Sequence, residues 1–141
     1  VLLFEGLQVT DKYDAECAAL ADDHYSRQSP GDRQFMPPGR TIIIRNPAGT
    51  MVFGWNWQLP HKRKDRESGY CCSIFRNVSE LRSSDVILEC TQIAFRKWGP
   101  DRVFTYVDPT KIRSANPGYC FKQAGWSFVR KTGTGLHLLA K

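Results

Sequence analysis

The chain has 141 residues, 41% hydrophobic and 24% charged, which is room for one ordinary domain near the globular average. That excludes a disordered, collagen-like or coiled-coil chain, and no apolar run approaches the roughly 20 residues of a membrane span. Twenty Lys and Arg against 14 Asp and Glu leave a net charge of +6, which favours a polyanionic partner.

In chain order, Val1-Leu2-Leu3-Phe4 is too short for the apolar core of a secretory leader, and Glu5 interrupts it. Leu2 to Val9 predicts a first strand. Thr10 is a helix N-cap, with Asp11 and Asp14 in the first turn, and Tyr13, Cys17, Leu20, Ala21 and His24 recur at helical spacing to about Tyr25. Ser26 to Gly39 is loop chemistry, long for so small a domain. Thr41 to Ile44 and Met51 to Gln58 form a hairpin across Asn46-Pro47-Ala48-Gly49, with Phe53, Trp55 and Trp57 alternating onto one face. Pro60 to Ser68 is a polar loop carrying His61, Lys62, Arg63, Lys64 and Arg66.

Tyr70 to Phe75 is the next strand, and Arg76 to Leu81 leads into a long helix with a stripe of Ile87, Thr91, Ala94, Phe95 and Trp98, stopped by Gly99-Pro100. Arg102 to Val107 is a buried strand ended by Asp108-Pro109. Asn116-Pro117 starts a short helix that Gly125 ends, and strands follow at Trp126 to Lys131 and Leu136 to Ala140. The order is β-α-loop-β-β-β-α-β-α-β-β, one α/β (α+β) domain over residues 1–141. The five cysteines contain no C-x-x-C pair and read as free buried thiols of a reducing, cytoplasmic protein.

This order, a three-stranded meander followed by helix, strand, helix and strand, resembles the GNAT N-acyltransferase fold, a mixed and mostly antiparallel sheet flanked by helices. The segment Asn116-Pro117-Gly118-Tyr119-Cys120-Phe121-Lys122-Gln123-Ala124-Gly125-Trp126 strengthens the match, because GNAT proteins open a short helix at an Asn and close it at a Gly-aromatic pair. The chain departs from the usual pattern twice. Arg76-Asn77-Val78-Ser79-Glu80-Leu81-Arg82-Ser83-Ser84-Asp85 has no glycine where GNAT enzymes hold the pyrophosphate of an acyl-CoA. Ser83, Ser84 and Arg76 are candidate anion holders there, or plain caps. The tyrosine that many GNAT enzymes use as general acid falls at Phe121, with Tyr119 two residues earlier.

Within the fold, His24-Tyr25-Ser26, Ser83-Ser84, Tyr106-Val107-Asp108 and Asn116 to Tyr119 resemble the Mom family, phage DNA-modification enzymes that convert adenine to its N6-carbamoylmethyl form and protect the genome from restriction. The resemblance implies iron held by His24, Tyr25 and Asp108, donor binding by Arg76, Ser83, Ser84 and Asn116, and Tyr119 as a proton-transfer group. It implies double-stranded DNA as partner and the host cytoplasm as location, with no membrane and a homodimer allowed. Lys62, Arg63, Lys64 and Arg66 suit DNA phosphates, and Arg27, Arg33, Arg40, Arg76, Arg82, Lys111 and Arg113 add charge around the expected cleft. Each residue also has a plain reading: His24 as a core histidine, Asp108 as a turn-former, the basic loop as solvated surface. Trp55, Trp57, Phe35 and Tyr70 serve either as core or as a pocket for a flipped base. An acyl-CoA-dependent N-acetyltransferase of a small amine or protein is the alternative, and a catalytically silent nucleic-acid-binding module is a third class.

Overall fold

A computed structural model describes residues 6–22, 35–111 and 116–141. Its elements are β1 (Gln8–Thr10), α1 (Ala15–Asp22), β2 (Arg40–Arg45), β3 (Met51–Trp57), β4 (Tyr70–Asn77), α2 (Ser83–Trp98), β5 (Val103–Val107), α3 (Tyr119–Gln123), β6 (Ser127–Lys131) and β7 (His137–Ala140). They form one seven-stranded sheet in the order β1-β2-β3-β4-β5-β7-β6. Every pairing is antiparallel except β4 with β5.

The alternation in the sequence divides the core between two faces. Ile42, Ile44, Phe53 and Trp55 turn to the face covered by α2 and α3, where they pack with Ile87, Cys90, Ala94, Phe121 and Trp126. Ile43, Val52 and Ile74 turn the other way and meet Cys17 and Ala21 of α1, together with Phe35 and Met36. The aromatic stripe is therefore core: Phe53 and Trp55 rings lie 4.7 Å apart, and the Trp55 indole N–H donates to the Cys90 carbonyl at 2.9 Å. Burying a donor beside a helix carbonyl avoids the cost of an unmet polar group. Gly99, at φ 92°, ends α2 as its Gly-Pro signal predicts.

Among the described residues the ladder slips in two places, in β6 at Val129 and in β4, and the slip in β4 shapes the centre of the sheet. Gly54 pairs with Ile74 but Trp55 pairs with Cys72, so Ser73 is an extra residue in β4. This bulge puts Cys72 and Phe75 on the same face and bends the strand. The parallel ladder with β5 runs only from Tyr70↔Val103 to Cys72↔Thr105 and ends at the same point. There the Thr105 hydroxyl donates to the Cys72 carbonyl at 2.8 Å, where a ladder amide would otherwise have served.

The N-terminal elements differ from expectation. Among the described residues β1 is Gln8–Thr10, and α1 begins at Ala15. The cap is Asp14: its carboxylate accepts from the Glu16 and Cys17 amides at 3.0 and 3.1 Å, while Thr10 donates its hydroxyl to Asp14. A carboxylate complements the positive helix end better than a hydroxyl does. Tyr13 precedes the helix and is exposed. Arg76 belongs to β4, and α3 starts at Tyr119 behind Gly118 in the left-handed region, not at Asn116. The five cysteines are free thiols, four buried and Cys120 half-buried. Burial pushes the Cys17 thiol up to about 12 and Cys71 to about 11. No helix among the described residues is long and apolar enough to cross a membrane.

Candidate functional site

Past Ser73 the two central strands share no ladder, so a fork opens between the C-terminal ends of β4 and β5. The chain then places a structured loop at each tine. On the β4 side, the Asn77 side chain organises the turn into α2. Its amide group donates to the Leu81 carbonyl at 2.7 Å and to the Ser83 hydroxyl at 3.1 Å, while its oxygen accepts from the Ser79 amide at 3.0 Å. Side-chain bonds thus hold a turn that glycines usually allow by conformational freedom. Arg82 occupies the N-cap position in extended geometry, and no side chain caps the first turn. Ser83 is bonded to Asn77, and Ser84 is only 4% exposed, so it faces the core.

On the β5 side, Asp108 folds into a tight turn. Its carboxylate accepts from the Thr110 amide at 3.0 Å and the Thr110 hydroxyl at 2.6 Å, bonds that hold it below the usual carboxylate range. The plain turn-forming role is thus realised, and it leaves the group ionised. Gly118 brings α3 against this strand end, since a Cβ there would sit 2.2 Å from Leu139 Cδ1 and 3.4 Å from Val107 Cγ2. Phe121 faces inward against Phe75 and Trp126, at ring distances of 6.0 and 4.8 Å. Tyr119 is 53% exposed, and its hydroxyl accepts from the Gln123 amide at 2.7 Å, which leaves its own proton available to donate. Asn116 accepts from the Lys122 ammonium at 2.6 Å.

The fold brings Ser83, Asp108, Asn116 and Tyr119 to one end of the sheet. His24 and Tyr25 lie outside the described residues, as do Arg27, Arg33 and Arg113. The basic loop departs from expectation. It joins the C-terminus of β3 to the N-terminus of β4, so it springs from the end of the sheet away from the fork. Arg63 is not a free cation: it forms a forked pair with Asp65 at 2.8 and 2.7 Å, reaches Asn56 Oδ1 at 3.3 Å and stacks over Phe104. Asp65 also accepts from the Tyr106 hydroxyl at 2.7 Å, which draws the loop over the face opposite α2. Lys62, Lys64 and Arg66 remain exposed on it. Trp55, Phe35 and Tyr70 are buried, which removes them as open base platforms, whereas Trp57 is half-buried.

A solved structure of a protein from Bordetella pertussis assigned to the GnaT family of acetyltransferases superposes with a TM-score of 0.58 at 11% identity, covering 99% of this chain and 97% of that one. The chain has the GNAT fold. No protein-family model matches the sequence, and no curated protein matches it. The uncapped first turn of α2 beside the open fork fits an anionic group.

Iron finds less here. Among the described residues no three His, Cys, Asp or Glu side chains group to hold a metal, and Asp108 is the one member of the His24, Tyr25 and Asp108 set that is described. Sequence reading missed Asn77, Thr105 and His137. The first two are ordinary strand residues until the bulge and fork give them partners. His137 pairs across from Val107, with its Nδ1 buried and unbonded.

Proposed function

We propose that this protein is a GNAT-fold transferase that converts the exocyclic amine of adenine in double-stranded DNA to its N6-carbamoylmethyl form, as a phage-encoded protection against restriction. The observation that carries the reading is convergence. Ser83 at the start of α2, Asp108 just past the end of β5 and the segment Asn116 to Tyr119 are far apart in sequence, and their positions next to the open ends of β4 and β5 support the reading. A target base must leave the duplex to reach such a site.

In this reading the first turn of α2, with Arg82 and the turn that Asn77 holds, binds the anionic end of the group donor. Because the product joins N6 to a methylene carbon, a donor bound there would have to present an activated CH2 rather than an acyl carbonyl, its leaving group departing with the electron pair as the N6–CH2 bond forms and the N6 proton passing to solvent. Tyr119 is the proton-transfer residue, because its hydroxyl accepts from Gln123 and keeps a proton to give. Asp108, held ionised by its bonds to Thr110 at the end of β5, is a negative charge suited to stabilise the positive charge that develops on N6 as the new bond forms. Digesting plasmid DNA from expressing cells and weighing its nucleosides tests the proposal. The expected result is a heavier deoxyadenosine, and unmodified adenine alongside folded protein overturns it.

The structural neighbour favours a second reading, an acyl-CoA-dependent N-acetyltransferase of a small amine or protein. Calorimetric titration with acetyl-CoA, together with absence of DNA binding, would move the assignment there.

A further inference from the structure

At the end of the sheet away from the fork there is a concavity of about 390 Å³, lined by Gly39, Arg40, Trp57, Gln58, Leu59 and Lys62. That lies within the roughly 300 to 1,000 Å³ of ordinary ligand pockets. It sits where β2 begins and β3 ends, since Arg40 pairs with Trp57. Eight residues of β4 separate this end from the start of α2, roughly 25 Å of strand. The Arg40 guanidinium lies 5.3 Å from the Trp57 ring centroid, and Leu59 is 51% exposed. Gly39 takes a φ of 115° and leaves no room for a Cβ against the Trp57 carbonyl, so the mouth is built tightly.

The charges around this pocket are sorted. Asp65 is held by Arg63 and Tyr106, and Glu67 by Arg102 and Arg130 at 3.1 Å each. The acids of the loop are spent on internal partners, while Arg40, Lys62, Lys64 and Arg66 project from it. Arg66 has a φ of 59°, the one positive value outside glycine among the described residues, and its guanidinium donates to the His61 carbonyl at 2.7 Å. Left-handed backbone costs on the order of 1 kcal/mol at such a residue, so the surrounding loop must fix it. A fixed loop presenting cations beside a flat guanidinium and an exposed apolar side chain is the chemistry that takes an unpaired base and its phosphates.

We propose that this pocket and the loop beside it are a docking site for a single-stranded stretch of DNA, with one base against Arg40 and Leu59 and the flanking phosphates on Lys62, Lys64 and Arg66. It rests on the DNA reading above only in the choice of polymer. Such a site would hold the strand several nucleotides from the opened base pair while the fork acts on the extruded nucleotide.

Fluorescence anisotropy with a labelled oligothymidine and a duplex control, across a salt series, tests it. The combined Lys62→Ala, Lys64→Ala and Arg66→Gly variant, whose glycine keeps the positive φ, should flatten the slope of log affinity against log salt by about 2. Leu59→Ala should weaken single-strand binding about 10-fold with the slope unchanged and duplex binding unaffected. Failure of the wild-type protein to bind the oligonucleotide, equal binding by both variants, or preference for phosphatidylserine vesicles would overturn the site. Nucleoside analysis separates the two proposals. Modified adenine with unaltered binding by the variants removes this site alone, and unmodified adenine with the expected binding losses removes the adenine reading alone.

Discussion

The two ends of the central strand pair solve opposite problems. At the closed end, where β4 and β5 begin, the backbone is saturated: the Tyr70 amide donates to the Arg102 carbonyl, and the Lys141 and Val103 backbones exchange bonds at 2.9 and 3.1 Å. Side chains add to this, with Arg102 bridging Glu67 and the Ser68 carbonyl. At the forked end the ladder stops after three rows, and single side chains, Thr105 and Asn77, replace what a ladder or a glycine turn would supply. Substitutions at the closed end should therefore be felt as stability, and at the fork as activity.

The sharpest test is Gly69→Ala. Gly69 has a φ of 104°, and a Cβ there would lie 2.1 Å from the Arg102 carbonyl oxygen, a backbone atom that cannot step aside. A loss of about 4 kcal/mol is expected, read as a fall in Tm of about 10 °C or more in thermal unfolding. A small change would mean the closed end is softer than its bonds imply. Tyr119→Phe should do the reverse, keeping Tm while turnover drops about 100-fold, or about 2.7 kcal/mol, in adenine modification assays. Unchanged turnover would take proton transfer away from α3.

Asp65→Asn comes next, at about 2 kcal/mol, because it breaks a half-buried forked pair. Burial raises the Asp65 pKa, but the Arg63 guanidinium, the Glu67 amide and the Tyr106 hydroxyl outweigh it and hold the carboxyl well below its usual range. Its folded pKa lies below its unfolded one, so its contribution is complete above about pH 5 and fades as pH falls below that towards the folded value. Urea unfolding from pH 7 to pH 3 should show wild type losing part of that increment and the variant losing less. The smallest effect is Asn77→Ala. About 1 kcal/mol of stability is expected to go, with a larger rise in KM for the donor than fall in kcat. A pure stability loss there would place the donor elsewhere.

Much of the fold was legible because hydrophobic periods dominate it. The α2 stripe through Ile87, Ala94 and Trp98 and the Phe53-Trp55-Trp57 alternation each specify an element and its inward face. Boundaries failed where a short polar side chain chose between roles: Thr10 reads as the cap, but Asp14 accepts the first-turn amides of α1 and Thr10 only bonds to Asp14, which also pairs with Arg45 at 3.0 Å. At the candidate site the sequence marks positions and not geometry. Ser83 and Asp108 reach the fork, but the bonds from Asn77 and Thr110 that fix them depend on turns, which leave no periodic trace. The basic loop misled because a cluster of cations carries no sign of which are spoken for, and Arg63 is held by Asp65, only two positions away.

The Ser73 bulge has a consequence for how this chain can change length. Removing that single residue would return Cys72 and Phe75 to opposite faces and let β4 continue its ladder along β5. The opening between the strands is thus a matter of parity: one unit of chain separates a zipped sheet from one with a mouth. At this point the residue count sets which face each side chain of β4 takes, so a one-codon deletion would turn one end of the strand over as it closed the gap to β5.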